Sequence, residues 1–148
     1  MMEDKYNLKR FIEAQEKCGM YEMAVNELSC GRKCSHWIWF VFPQMKGLGY
    51  SHNSNYYGIT CREEAEAYLA DDLLNERLRN VCSILMEQVK MGKSAREILG
   101  GIDAKKVQSC LTLFDAISPK DIFMECLEVC YRGNIDAKSL KMLAFYRG

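Results

Sequence analysis

Residues 31–51 read GRKCSHWIWFVFPQMKGLGYS. This central stretch contains both tryptophans of the chain, one of its two histidines and one of its two prolines. It begins with two cationic residues, continues through an aromatic apolar run and ends in a polar segment that contains two glycines. Because charge, aromatic rings and flexible backbone follow one another so closely, we expect the fold and any site to be organised around it.

The apolar run at residues 37–42 fits either a short helix or a buried strand, since periodicity does not separate the two at this length. Ser35 in front of the run is a favourable N-cap, and Pro43 behind it would end a helix. No partner strand is evident elsewhere in the sequence. We therefore predict a helix that Ser35 caps and that runs through Phe42.

Helical patterns lie on both sides of the central stretch. Before it, apolar spacing predicts a helix that Asn7 caps and that ends near Gly19, then a second helix that ends before Gly31. Gln15 lies on the apolar face of the first helix, so we expect it to be buried and bonded to a backbone carbonyl. Behind the central stretch, residues 47–58 show no periodic pattern and are predicted to form a functional or compact loop.

From residue 60 onward, N-cap residues are followed by apolar stripes and then by glycines. The predicted caps are Thr60 with Glu63, Asp72, Ser94 with Glu97, Asp103, Ser118 before Pro119, and Asp136. These units predict an all-α protein, with residues 1–148 forming a single multihelical domain of roughly seven to eight helices.

Composition narrows the classes of protein that remain. Twenty basic and twenty acidic residues give a formal net charge of zero, so no global basic field favours nucleic acid, and we expect no nucleic-acid partner. No apolar run approaches the roughly 20 residues of a membrane span, and residues 1–10 lack the apolar core of a signal peptide. We therefore expect a cytoplasmic protein with no membrane association.

Eight cysteines are present, and with no signal peptide we expect them to be reduced. Several lie on apolar helical faces, where a free thiol behaves as a small hydrophobic group. The pairs Cys30/Cys34 and Cys126/Cys130 have C-x-x-x-C spacing, whereas structural zinc sites favour C-x-x-C. We expect core packing at these positions, with no metal and no cofactor.

The sequence also resembles a known family. The central resemblance is the motif S-H-W-x-W-F-x-F-P-Q at residues 35–44, and it extends over most of the chain. Further matching residues are Leu8, Phe11, Gln15, Tyr21, Glu27, Lys33, Gly47, Gly49, Ser51, Tyr57, Gly58, Tyr68, Arg77, Asp103, Lys106, Ser109, Thr112 and Phe114. These residues are similar to those of the bacterial family called domain of unknown function 1810, sometimes mislabelled calpastatin.

The resemblance implies a small, mostly α-helical bacterial protein and supplies no activity. The chain departs from the family pattern at Asp71-Asp72, where we expect His-Pro, and at Asn75, where we expect Gly.

A ligand site is predicted at the central stretch. A helix start beside two cations would offer backbone N–H groups and positive charge to an anion, and the following loop would add hydrogen bonds. The candidate ligand-binding residues are Arg32, Lys33, Ser35, His36, Gln44, Ser51 and Tyr57. His36 is also the candidate catalytic residue.

Two functional interpretations stay open. The first is a binding protein or an enzyme for a small anionic or nucleotide-like ligand, which is held between residues 31–36 and 47–58. The second is a non-enzymatic helical interaction protein in which Trp37, Trp39 and their aromatic neighbours are core. Motifs of the common enzyme classes, such as the P-loop and G-x-S-x-G, do not occur. The oligomeric state does not follow from the sequence.

Overall fold

The structure, a computed structural model, describes residues 3–145. Within that range no strand forms, apart from an isolated parallel bridge between Met45 and Ile59. The helices are α1 (Lys9–Glu16), α2 (Met20–Ser29), α3 (Ile38–Val41), α4 (His52–Tyr56), α5 (Arg62–Ala70), α6 (Asp72–Lys90), α7 (Ala95–Leu99), α8 (Gly101–Ile117), α9 (Ile122–Tyr131) and α10 (Ala137–Phe145). The predicted all-α class is confirmed, and seven of these helices have eight or more residues.

The long helices α6 and α8 form the centre of the packing. Helix α6 packs against α2, α5 and α9, while α8 packs against α5, α7, α9 and α10. Their inward faces are apolar at helical spacing, and Leu78, Val81, Cys110 and Phe114 are at most 1% exposed. Burial of such faces supplies most of the driving force for helix packing.

The aromatic run of the central stretch is helical, as predicted, but only over the four residues of α3. Ser35 does not cap it: Trp37 occupies the N-cap position, and no side chain caps the helix. Gln15 is 2% exposed and its Nε2 donates to the carbonyl oxygen of Phe40 at 2.7 Å, which confirms the prediction for this residue. Through that bond α1 holds α3 in place.

Asn7 is not the cap of the first helix. Its φ is 55°, and the carboxylate of Asp4 accepts instead from the backbone N–H groups of Leu8 and Lys9, at 2.7 and 3.0 Å. The helix ends at Glu16, and a 3₁₀ turn continues the chain to Gly19.

Two of the predicted caps are displaced by one residue. Glu64, not Glu63, accepts from the N–H of Thr60 at 3.0 Å, and Cys61 is the N-cap of α5. Asp71, not Asp72, caps α6 by accepting from the backbone N–H of Leu74, three residues onward, at 3.0 Å. In both cases two carboxylates are adjacent in the sequence, and spacing alone does not choose between them.

Two further predicted caps are wrong because their helices begin at other residues. Helix α8 begins at Gly101, so Asp103 lies inside its first turn. Helix α9 begins after Asp121, whose carboxylate accepts from the N–H of Ile122, and Ser118 donates its hydroxyl to that same carboxylate at 2.6 Å. By contrast, the capping box of Ser94 and Glu97 is present with both bonds, and α10 begins directly after Asp136.

Arg10 joins three parts of the chain that are distant in sequence. Its side chain is 6% exposed, and its five N–H groups make five hydrogen bonds of 2.7–3.1 Å. The acceptors are the carbonyl oxygens of Tyr6, Asn7, Tyr56 and Gly58 and Oε2 of Glu64. The arginine therefore fixes the end of the 47–58 loop between the N-terminal segment and α5.

Three cysteines of the helical faces are core residues, as the apolar pattern indicated, but the core packing expected for Cys30 and Cys34 is wrong: both lie beyond the end of α2 and are exposed. Cys82, Cys110 and Cys126 are fully buried, and burial raises the pKa of the Cys110 thiol well above its ordinary value. All eight cysteines are free thiols, and the sulfur atoms of Cys126 and Cys130 lie 3.9 Å apart. Among residues 3–145, no helix has the length and apolarity needed to cross a bilayer.

Candidate functional site

The carboxylate of Glu27, on α2, organises the chain in front of α3. Its Oε1 accepts from the backbone N–H groups of Cys34 and Ser35 at 2.6 and 2.8 Å and from Nε1 of Trp37 at 3.0 Å. Its Oε2 accepts from the hydroxyl of Ser35 at 2.6 Å. Ser35 is thus engaged by Glu27 and is not a helix cap, which removes the predicted anion site at a capped helix start.

These bonds set the pKa of Glu27. Partial burial alone would raise it, but the hydrogen bonds from Ser35, Cys34 and Trp37 outweigh that effect and lower the pKa from 4.5 to about 2. The folded protein therefore holds this carboxylate in its charged form more strongly than the unfolded chain does. The corresponding stability is present above pH 4.5 and is lost as the pH falls through about 2.

Acid should therefore destabilise the wild-type protein more than the variant Glu27→Gln. At pH 7 we expect the free energy of unfolding of the variant to be lower by about 1–2 kcal/mol. This is the contribution of a charge-assisted hydrogen bond, reduced because the group is partly exposed to solvent. The loss should shrink as the pH falls from 4.5 towards 2, because the wild-type carboxylate becomes protonated. Melting temperatures of both proteins across this range measure it, with Glu22→Gln on the same helix as the control. A constant difference between Glu27→Gln and wild type at every pH would contradict the prediction.

Lys33, a candidate ligand-binding residue, is already paired within the protein. Its ammonium group lies 2.8 Å from Oδ2 of Asp103 and 4.9 Å from the centre of the Trp37 ring, and it donates to the carbonyl oxygen of Ser35. The side chain is 7% exposed. Asp103, expected as a helix cap, instead supplies the counter-charge that ties α8 to the central stretch. Sequence spacing does not show such a pair, because the partners are far apart along the chain.

The remaining predicted residues of the 31–36 segment point elsewhere. Arg32 and His36 are exposed, and neither lines any of the cavities described below. The structure therefore does not bring Arg32, Lys33, Ser35 and His36 together with the loop that follows.

The loop at residues 47–58 is compact, and it contains a helix that its sequence pattern did not indicate. Ser51 caps α4 by accepting from the N–H of Ser54 at 3.1 Å. Gly58 has no room for a side chain, because a Cβ there would lie 2.5 Å from the Cα of Lys46. A Cβ on Gly49 would lie 2.6 Å from the hydroxyl of Ser54. The glycines thus allow the loop to fold closely upon itself.

One face of this loop forms a cleft with α8 and the start of α10. The cleft has a volume of about 490 Å³, within the range of small-molecule sites. On the loop side it is lined by Gln44, Leu48, Gly49 and Ser54, and on the helical side by Lys105, Lys106, Gln108, Ser109, Asp136 and Lys138. We call it the lysine cleft.

A small chamber, which we call the inner chamber, shares lining residues with the lysine cleft. It is also lined by Gln44, Leu48, Gly49 and Ser54, and it adds Trp39, Asn53 and Tyr57. Its volume is about 10 Å³, which is close to the space that one water molecule needs. The inner chamber and the cleft therefore share one wall of the loop.

Lys106 lines the lysine cleft and Trp39 lines the inner chamber, and the two side chains contact each other. The ammonium group of Lys106 lies 4.8 Å from the centre of the Trp39 ring and 3.6 Å from Oδ1 of Asp103. The indole Nε1 of Trp39 is buried and has no hydrogen-bond acceptor among the described residues. Trp37, two positions earlier, has its Nε1 bonded to Glu27.

A second cavity, of about 580 Å³, opens on the other face of the loop around Arg10. Lys5, Lys46 and His52 also line it. Every N–H of Arg10 is already bonded within the protein, and Glu64 neutralises its charge at 2.7 Å. The central group of this cavity thus serves the fold, and the lysine cleft is the stronger candidate for a ligand.

The lysine cleft contains one of the predicted site residues, Gln44, which also lines the inner chamber together with Tyr57. Ser51 acts as the cap of α4. Sequence reasoning missed the lysines of α8 and α10 as site residues. Lys106 and Ser109 were among the residues of the family resemblance. They lie three and six positions after Asp103, and this polar spacing along α8 was the sequence feature from which the helical side of the cleft could have been predicted. No group of three or more His, Cys, Asp or Glu residues in the range 3–145 is placed to hold a metal ion.

Comparisons with known proteins identify relatives but no activity. The family model described as "Protein of unknown function (DUF1810)" matches residues 5–143. Among solved structures, the conserved hypothetical protein Rv1873 from Mycobacterium tuberculosis superposes with a TM-score of 0.89 at 41% sequence identity. The match covers 95% of this chain and 99% of that one. No curated protein matches the chain.

Proposed function

The chain belongs to the DUF1810 family of proteins of unknown function, and we propose that it binds a small anionic or nucleotide-like ligand in the lysine cleft. The observation that carries the proposal is the excess of positive charge in that cleft. Three lysines and one aspartate line it, which leaves two positive charges without a counter-charge in the lining. A concave site with this balance attracts anions and concentrates them.

The lysines differ in how available they are. Lys105 and Lys138 have no carboxylate within 4 Å among the described residues, whereas Lys106 has Asp103 at 3.6 Å. Asp136, the aspartate of the lining, already accepts from the hydroxyl groups of Ser109 and Ser139, at 2.7 and 2.6 Å. Two lysines are thus free to meet a phosphate or carboxylate.

Polar groups opposite the lysines suit the same class of ligand. The amide of Gln44 and the hydroxyl of Ser54 face the cleft from the loop, where they are able to donate hydrogen bonds to anionic oxygens. The proposal concerns binding. His36, the candidate catalytic residue, does not line the cleft, so no reaction step is assigned to it.

Removing the two unpaired lysines should weaken anion binding without affecting the fold. For Lys105→Gln/Lys138→Gln we expect roughly a 5–30-fold loss of affinity, since each exposed charge contributes up to about 1 kcal/mol. Titration calorimetry and thermal shifts at low salt measure this, with inorganic phosphate, sulfate, nucleotides and sugar phosphates as ligands. The charge-matched control Lys120→Gln/Lys141→Gln removes two exposed lysines outside the cleft.

Equal effects of the two double variants would mean that the net charge, and not the cleft, governs binding. No ligand-dependent shift in wild type with any of these anions would overturn the proposal. The alternative of a non-enzymatic helical interaction protein would then be favoured. Its aromatic stretch is largely core, with Trp37 and Phe42 fully buried and Phe40 8% exposed.

A further inference from the structure

The indole N–H of Trp39 is the polar group in the central stretch that the fold leaves unsatisfied. Its Nε1 is buried from water and has no acceptor within the described part of the chain. Buried donors are almost always bonded in native proteins, because an unpaired one forfeits the hydrogen bond it would make with water. The neighbouring Trp37 follows this rule, since its Nε1 donates to Glu27 at 3.0 Å.

The surroundings of Trp39 indicate what would satisfy it. Trp39 lines the inner chamber, whose volume of about 10 Å³ accepts a single water-sized group. The chamber is polar, with Gln44 and Asn53 in its wall. It shares four lining residues with the lysine cleft, namely Gln44, Leu48, Gly49 and Ser54, so a ligand held in that cleft lies close to the chamber.

We propose that Trp39 Nε1 donates a hydrogen bond to a hydroxyl or carbonyl oxygen of the ligand whose anionic group the lysines hold. This rests on the proposed function and narrows its ligand class to phosphorylated or carboxylated compounds that carry a second oxygen function. Sugar phosphates, phosphorylated polyols and nucleotides belong to this class, whereas inorganic phosphate and simple alkyl phosphates do not. The second oxygen should increase the affinity of the ligand, because its hydrogen bond would remove the free-energy cost of leaving the Trp39 donor unpaired.

The test compares two ligands that differ only in hydroxyl groups, glycerol 3-phosphate and propyl phosphate. Wild type should bind the hydroxylated compound about tenfold more tightly, which corresponds to about 1.4 kcal/mol. Trp39→Phe keeps a ring in place but removes the N–H, so it should bind both compounds with the affinity that wild type shows for propyl phosphate. Circular dichroism and the melting temperature establish that the variant is folded.

A direct readout comes from the indole region of the ¹⁵N–¹H correlation spectrum. The chain has two tryptophans, so two indole cross-peaks are expected, and Trp39→Phe identifies the second. Glycerol 3-phosphate should shift the Trp39 proton downfield and leave that of Trp37 in place, since Trp37 is already bonded to Glu27. Propyl phosphate should move neither.

The outcomes separate this inference from the proposed function. If wild type binds both compounds equally and the Trp39 cross-peak does not respond, the chamber holds water or nothing and the inference is wrong, while anion binding stands. The same conclusion follows if Trp39→Phe retains the preference for glycerol 3-phosphate. If neither compound nor any other anion binds, the proposed function fails and this inference fails with it.

Discussion

Replacing Arg10 with methionine should lower the free energy of unfolding by about 3–5 kcal/mol, the scale of breaking a buried ion pair from one side. The substitution removes five hydrogen bonds at once and leaves Glu64, whose side chain is 2% exposed, without its cationic partner. Four backbone carbonyls each lose the hydrogen bond that the guanidinium donates. Urea denaturation followed by circular dichroism measures the change.

A double variant separates the ion pair from the rest of this arrangement. Arg10→Met/Glu64→Leu removes both charges, so it should recover part of the loss, because an apolar pair avoids the cost of an unpaired buried charge. Arg62→Met, on the exposed surface of α5, is the control and should change stability by less than about 0.5 kcal/mol. If Arg10→Met behaved like this control, Arg10 would not join the N-terminal segment to the loop and α5.

Replacing Trp37 with alanine should cost about 3–5 kcal/mol, as expected when a large aromatic side chain leaves a cavity in a core. Trp37 is fully buried. The centre of its ring lies 6.3 Å from the centre of the Phe42 ring and 4.9 Å from the ammonium group of Lys33. Its Nε1 also donates to Glu27. Denaturant unfolding of the variant measures the loss.

Conservative variants distinguish the two roles of Trp37. Trp37→Phe keeps most of the packing but removes the hydrogen bond to Glu27. Its loss of unfolding free energy should therefore be smaller than that of the alanine variant, and about the 1.5–3 kcal/mol of a hydrogen bond to a charged acceptor. Trp39→Ala is the matched control two positions away. Trp39 is only partly buried and has no such bond, so its loss should be smaller. A larger loss at Trp39 than at Trp37 would contradict this description of the core.

Local sequence determined most of the helical structure. The apolar stripes of the long helices identify their buried faces because one face must leave water whatever it packs against. The Ser94 and Glu97 capping box was predictable because both of its bonds lie within one turn. Gln15 was predictable for a related reason, since an amide on an apolar face must find an acceptor.

The short elements were harder to predict because local signals compete there. At residues 71 and 72 two aspartates were equally able to cap, and the first does so by accepting from the N–H of Leu74. The five residues of α4 carry no apolar stripe, so no pattern indicated a helix. The glycines around it fold the loop through close contacts that spacing does not reveal.

The sequence by itself determined the all-α class and the buried faces of the helices, because these follow from periods of 3.6 residues and from the burial of apolar side chains. Only the tertiary structure decided which charges remain available to a ligand. Lys33 is paired with Asp103, and Ser35 is bonded to Glu27, while Lys105 and Lys138, which line the cleft with Gln44, have no carboxylate within 4 Å among residues 3–145. The physical reason is that ion pairs and clefts form between residues that are close in space but far apart in the sequence, and local sequence patterns do not show which distant residues come together.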